Sequence, residues 1–308
     1  MRVVACIPAR YSSTRFPGKV LAKDTGKFLI QHTYERARLA KLPERVIIAA
    51  DDQKVIAAAH SFGAPCVLTG IEHQSGTDRI AEAVEQMDAD IVVNLQADEP
   101  EIDPANIDYV ARLLIENPDY PMATLAADFE RAEQIADPNI VKVIVAWSVP
   151  RTNLPAGGEV VSPEGESLTA WVSRSSNRGD WCGEANRKKL DAKRYPLNAD
   201  YGRAIYFSRA PIPYDRDAKG IGQIGQYKRH LGIYAYRKDF LLKITALPQT
   251  PLEKIEKLEQ LRAIENGFGI LVGKVNHTCA GIDTPQQYAE FVKRYRKTAT
   301  EKDKKKKN

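Results

Sequence analysis

The sequence predicts an α/β fold built on a mostly parallel sheet, and three observations carry that reading. Short apolar, β-branched runs, "VVACI", "RVIIAA", "PCVLT" and "DIVVNLQ", alternate with amphipathic stretches near residues 28–41, 52–62 and 77–87. That order is the pattern of parallel strands joined by crossover helices. The polar clusters "PARYSSTRFPGK", "DD", "HQSGTDR" and "QADEP" each follow one of the runs. They therefore fall at the carboxyl ends of the strands, where an open parallel sheet takes its ligands. Finally, 308 residues with 43% hydrophobic and 28% charged composition sit near the upper limit for one core, which leaves open one α/β domain with an insertion or two small domains.

From about Trp147 to Tyr201 the alternation stops. This stretch is rich in Pro, Gly, Ser and charge, yet it holds all three tryptophans, Trp147, Trp171 and Trp181. It reads as an insertion of about residues 147–201 in a single domain spanning 1–297. Periodic structure resumes with "RAIYFSRAPIPY" and "RHLGIYAYR", a helix near 251–266, "GILVGKV", "GIDTP" and a last helix near 285–297.

Composition excludes several classes. The formal charge is +5, but residues 297–308 hold six lysines against Glu301 and Asp303, so the body is close to neutral and offers no nucleic-acid footprint. Residues 298–308 read as a disordered, Lys-rich tail. No apolar run approaches the roughly 18 residues of a membrane helix, and no signal peptide is visible, which predicts a cytoplasmic protein. Cys6, Cys66, Cys182 and Cys279 form no CxxC pair, so reduced thiols are expected and not a zinc site or a disulfide framework.

The loop after the first strand matches neither the Walker pattern nor the GxGxxG dinucleotide fingerprint. It supplies Arg10, Arg15 and Lys19, with Gly18 permitting close backbone approach, a set suited to holding a polyphosphate or lying solvated. In "HQSGTDR", amides at a helix start can donate to an anion or a base edge, and Gln74 offers both donor and acceptor, while Ser75 and Thr77 also suit helix caps. Asp98 and Glu99 end "NLQADE", where a carboxylate binds a hard cation. Asp283 in "GIDTP" can join Asp98 on one magnesium ion or serve as a helix cap.

Taken in order, "IPARYSSTRFPGKVL", "HQSGTDR", "NLQADEP", "YFSRAPIPYDRD", "RHLGIYAYR", "PLEKIEKLEQLR" and "GIDTP" resemble the successive motifs of the 3-deoxy-manno-octulosonate (Kdo) cytidylyltransferase, or CMP-Kdo synthetase, family. The resemblance implies a Rossmann-like, mostly parallel sheet of the nucleotidyltransferase type with a smaller β-rich dimerisation region. It implies transfer of CMP from CTP to the anomeric hydroxyl of Kdo, with magnesium as cofactor, pyrophosphate as second product, lipopolysaccharide biosynthesis as the setting and a homodimer as the assembly. By the same resemblance Ala9, Arg10, Gln74, Ser75, Gly76 and Arg79 surround the nucleotide base, and Arg10, Arg15, Lys19 and Asp98 act in catalysis. Gln96, His230, Tyr234, Glu259 and Gln260 contact the acidic 2-keto sugar, and Asp98 and Asp283 hold the metal. Ala97 and Val20 depart from the family, which usually has Gly and Pro there, and Ala97 leaves an amino-substituted or other acidic sugar open. Other readings are a glycosyltransferase or NAD-binding enzyme, against which the missing GxGxxG counts, and a non-catalytic sugar-nucleotide binder, against which the intact Arg10, Lys19, Asp98 and Asp283 count.

Overall fold

The computed structural model describes residues 1–13, 15–73, 75–147, 201–276, 278–279 and 281–307, the backbone alone beyond 298. The chain divides into one unit of Met1–Ala146 with Tyr201–Asn308 and another of Trp147–Asp200. Of the expected insertion, only Trp147 and Tyr201 lie within the described residues, and Trp171 and Trp181 lie outside them.

Among the described residues the first unit opens with β1 (Val3–Ala9), α1 (Leu29–Ala37), β2 (Pro43–Ala50), α2 (Gln53–Ser61), β3 (Cys66–Leu68), α3 (Gly76–Val84) and β4 (Ile91–Asn94). It continues through α4 (Pro104–Glu116), β5 (Met122–Asp128), α5 (Glu133–Ala136), β6 (Lys142–Trp147), β7 (Tyr201–Ser208) and β8 (Lys228–Arg237). It ends with α6 (Lys238–Ala246), α7 (Pro251–Glu256), α8 (Gln260–Glu265), β9 (Ile270–Val275) and α9 (Pro285–Lys307). Strand β1 shows why its sequence is apolar throughout. Val3, Ala5, Ile7 and Ala9 enter one core cluster while Val4 and Cys6 enter the other, so successive side chains fill opposite faces.

The strands run in the order β3-β2-β1-β4-β8-β5-β9-β7-β6, with β6 also pairing to β8. The expected mostly parallel sheet is therefore corrected to a mixed one. Pairs β1–β2, β1–β4, β2–β3 and β5–β9 are parallel, whereas β4–β8, β5–β8, β6–β8 and β7–β9 are antiparallel. Strand β8 enters antiparallel between β4 and β5, and because β6 returns to it, β8-β5-β9-β7-β6 closes like a barrel. Apolar runs record burial, and direction is settled by which edge is free when each run arrives.

One helix expectation changes. The helix read over 251–266 breaks at Lys257, whose left-handed φ of 53° separates α7 from α8. The last helix, α9, runs from Pro285 to Lys307. No Gly or Pro follows Pro285 in that helix, and its first half is anchored by buried Tyr288, Phe291 and Val292, so lysines of good helix propensity need only propagate it. No helix among the described residues is long and apolar enough to cross a membrane. Burial raises the pKa of the Cys6, Cys66 and Cys279 thiols; Cys182 lies outside the described residues.

Candidate active site

The loop after β1 turns on Gly18, whose φ of 67° lies in the left-handed region that a side chain would disfavour. Its amide donates to the Tyr11 carbonyl at 3.3 Å, folding the loop back on itself, and a single 3-10 turn (Lys19–Leu21) follows, pinned by buried Val20. This geometry sends Lys19 inward. Its Nζ donates to Asp98 Oδ2 at 2.5 Å and to Asp283 Oδ1 at 3.4 Å, and Arg15 Nη2 meets the same Asp283 oxygen at 3.1 Å. Three segments far apart in sequence thus join at the carboxyl end of the sheet. The Lys19 side chain is only 11% exposed, against 65% for Arg15. The cluster grades from a half-dry interior to an open rim.

The second cluster forms around the start of α3. Ser75 caps the helix in a capping box with Asp78, and a Cβ on Gly76 would lie 3.2 Å from Pro8 Cγ, so bare backbone lets the helix start close over the end of β1. Arg10 Nη2 donates to the His73 carbonyl at 2.6 Å, tying the β1 loop to the loop before α3. Ala9 is wholly buried. Arg79, expected beside the base, is also wholly buried. Its guanidinium donates to Thr69 Oγ1 at 2.6 Å, the Gly70 carbonyl at 3.1 Å and Asp51 Oδ2 at 3.2 Å. Asp51 Oδ1 accepts from the Tyr11 amide at 2.9 Å, so Arg79 acts through Asp51 to hold the basic loop in place. Burial lowers the Arg79 pKa, and Asp51 opposes that shift. Gln74 lies outside the described residues.

The residues expected on the sugar divide into supports and open groups. Glu259 accepts from Ser75 Oγ at 3.2 Å and Thr77 Oγ1 at 2.8 Å, a contact that couples it to the α3 cap; burial raises its pKa while the Thr77 bond opposes. Gln96 Nε2 donates to the Gly232 carbonyl at 3.0 Å. His230 is buried, and that burial lowers its pKa to about 3, so it stands as neutral imidazole. Thr124 Oγ1 lies 3.0 Å from His230 Nε2 and donates its one proton to the Ile233 carbonyl at 2.7 Å. It must then accept from the ring, which assigns the imidazole proton to Nε2 and leaves Nδ1 as an acceptor. The rings of Phe207 and Tyr234 pack against His230 at centroid distances of 5.0 and 5.4 Å. Gln260 is buried with its Nε2 unpartnered, a donor with nothing to donate to.

Asp98 and Asp283 are hard oxygen donors facing a single cation position, the chemistry that magnesium takes from one or two carboxylates completed by phosphate and water. Among the described residues no group of three or more His, Cys, Asp or Glu gathers to hold a metal by protein ligands alone. Sequence reasoning left three participants unassigned: Asp51, Thr69 and Thr124. The "DD" cluster pointed to Asp51; nothing local marks Thr69 or Thr124, which matter only through a partner distant in sequence. Burial first, then the neighbouring Asp98, raise the Glu99 pKa to about 8, with Arg229 opposing.

Similarity to known proteins agrees with this arrangement. The cytidylyltransferase family pattern matches residues 4–148 and 184–274. A 3-deoxy-manno-octulosonate cytidylyltransferase of Solibacter usitatus is 41% identical over 285 residues, covering 92% of this chain and 91% of that protein. The chain belongs to the 3-deoxy-manno-octulosonate cytidylyltransferase family. Another family member, from Geotalea uraniireducens, is 36% identical over 305 residues and is covered along 100% of its length, with 96% of this chain. The solved structure of a CMP:2-keto-3-deoxy-manno-octonic acid synthetase complexed with CTP is 34% identical, with a TM-score of 0.73 over 98% of this chain and 100% of that one. The break between the two family-matched stretches, residues 149–183, falls within the stretch read as an insertion.

Proposed function

We propose that this protein joins the anomeric oxygen of Kdo to the α-phosphorus of CTP, releasing pyrophosphate and making CMP-Kdo. The observation that carries the proposal is the meeting of Lys19, Arg15, Asp98 and Asp283 at the carboxyl end of the sheet in a member of this family. Arg10, Ala9, Gln74, Ser75 and Gly76 bound the base, while Arg79 braces their loop from behind. Lys19 and Arg15 take the triphosphate, where positioning and charge neutralisation supply most of the acceleration. Asp98 and Asp283 hold magnesium, which when bound withdraws charge from phosphate oxygens and acidifies a hydroxyl on it. The unpartnered Gln260 Nε2 gives the acidic sugar a buried donor, and Gln96, Tyr234 and Glu259 are its further contacts in this reading. His230 keeps its proton and shapes the pocket as a neutral group.

On this reading the protein works in the cytoplasm, where CTP is available, its product feeds lipopolysaccharide assembly, and it acts as a homodimer. Ala97 is buried beside Asp98, with its carbonyl accepting from Thr33 Oγ1 at 3.1 Å; its methyl group is the reason to include an amino-substituted Kdo among the substrates tested. Pyrophosphate release measured with each of the four nucleoside triphosphates, with Kdo, its amino analogue or sialic acid, and with or without chelator, tests the assignment. Turnover is expected with CTP, Kdo and free magnesium together. Equal turnover in excess chelator, or with another nucleotide, overturns it. Sedimentation tests the dimer.

A further inference from the structure

The cation position between the two aspartates is taken by a group of the protein itself. Lys19 Nζ sits 2.5 Å from Asp98 Oδ2 and 3.4 Å from Asp283 Oδ1, while Arg15 adds a second positive charge at 3.1 Å from that Asp283 oxygen. With the Lys19 side chain 11% exposed and Asp98 25% exposed, the Lys19–Asp98 contact is sheltered from water and from salt screening. An ammonium and a divalent ion cannot share one point between two carboxylates. The entering ion must also be brought up against two fixed positive charges. A triphosphate changes that balance, because it gives a flexible lysine another set of anionic oxygens to follow.

We propose that Lys19 is a resident counterion that keeps the Asp98–Asp283 pair closed to divalent ions until nucleotide phosphates draw its ammonium away. This rests on the reading of the cluster as the CTP and metal site, and it adds an order of events: the metal does not load the bare protein, and nucleotide and metal enter as a coupled pair. Coupling of this kind is reciprocal, so whatever removes the lysine from the carboxylates raises their affinity for the ion by the same free energy. Lys19 then has two partners in one cycle, aspartates before the nucleotide arrives and phosphates after. The Gly18 turn fixes its backbone while its four-carbon stem makes the exchange.

Manganese binding to the full-length protein without nucleotide, read from the electron paramagnetic resonance of the free ion, tests the proposal without relying on turnover. Wild type is expected to bind manganese weakly. Lys19→Met is expected to bind it at least tenfold more tightly, and adding Asp98→Asn to Lys19→Met should abolish the gain. Arg15→Gln should give a smaller gain in the same direction. If Lys19→Met does not fold by circular dichroism, Lys19→Gln, which keeps a donor and loses only the charge, takes its place with the same expectation. Equal manganese affinity in wild type and the folded Lys19 variant overturns the proposal, as does a gain that survives Asp98→Asn. Titration of wild type with CTP and magnesium separates the two readings: absence of CTP binding defeats the site assignment itself, whereas CTP binding with unchanged manganese affinity in the variant defeats only the counterion.

Discussion

Two sets of charged groups in the molecule are held in opposite ways. Beyond β1 and β4 of the parallel half, Lys19, Arg15 and Asp98 meet Asp283 from the loop after β9 at exposures from 11% to 65%, in contacts that a ligand can exchange. In the half that closes through β8 and β6, two sets of charges are sealed. Arg262 makes a two-pronged pair with Glu253 at 2.8 and 2.6 Å, each side chain 5% exposed. Lys142, fully buried, donates to the carbonyls of Asp137, Ile140 and Arg209. Phosphate and metal need partners that can let go. A pocket wall needs partners that cannot, because an unpaired buried charge costs several kcal/mol.

The contrast can be broken at four places. The largest effect is expected from Asp98→Asn, which should lower kcat for pyrophosphate release by about a thousandfold, as loss of a central electrostatic group does, while the melting temperature stays close to that of wild type. If kcat falls less than about tenfold, Asp98 is not part of the chemistry. In the sealed half, Glu253→Gln leaves Arg262 buried against a neutral partner and should cost about 3–5 kcal/mol in urea unfolding. A loss under about 1 kcal/mol would place that pair with ordinary surface pairs, against its burial.

His230 sharpens the comparison through pH. Its folded-state pKa of about 3 lies below the ordinary 6.5, so as pH falls the unfolded chain takes up the proton first. The stability it contributes is whole above about pH 6.5 and drains away toward pH 3. Between pH 7.5 and 5.0 wild type should therefore lose about 2 kcal/mol more than His230→Gln in paired urea titrations. Parallel losses in the two proteins would mean that the imidazole titrates freely. The smallest effect is expected from Arg79→Met. With Asp51 left unpaired behind the basic loop, KM for CTP should rise about tenfold with kcat changed less, the pattern of lost uniform binding. Equal losses in both constants would put Arg79 on the reacting phosphates, in conflict with its burial.

Most of the charged cluster was legible because its residues sit just past strands in short, distinctive loops, and a strand end is a fixed address in an α/β sheet. Arg10, Lys19 and Asp98 could be placed from that rule alone, and Asp283 followed from its loop before the last helix. The role of Arg79 was not legible. Helical spacing says which face a residue occupies but not that Asp51 and Thr69 wait on that face. Nor were the contacts of Glu259 with Ser75 and Thr77, which join residues more than 180 positions apart.

By itself the sequence determined the alternation of strands and helices, the apolar character of both faces of β1, the family and the identity of the charged groups, since each is encoded within a few neighbouring residues or in the order of motifs. Tertiary structure alone decided that β8 enters antiparallel and closes the second half of the sheet, that the helix after Thr250 breaks at Lys257, that His230 is dry and neutral, and that Lys19 stands between Asp98 and Asp283. Each of these depends on groups brought together from distant parts of the chain, and their energies come from burial and pairing that have no value until the partners meet.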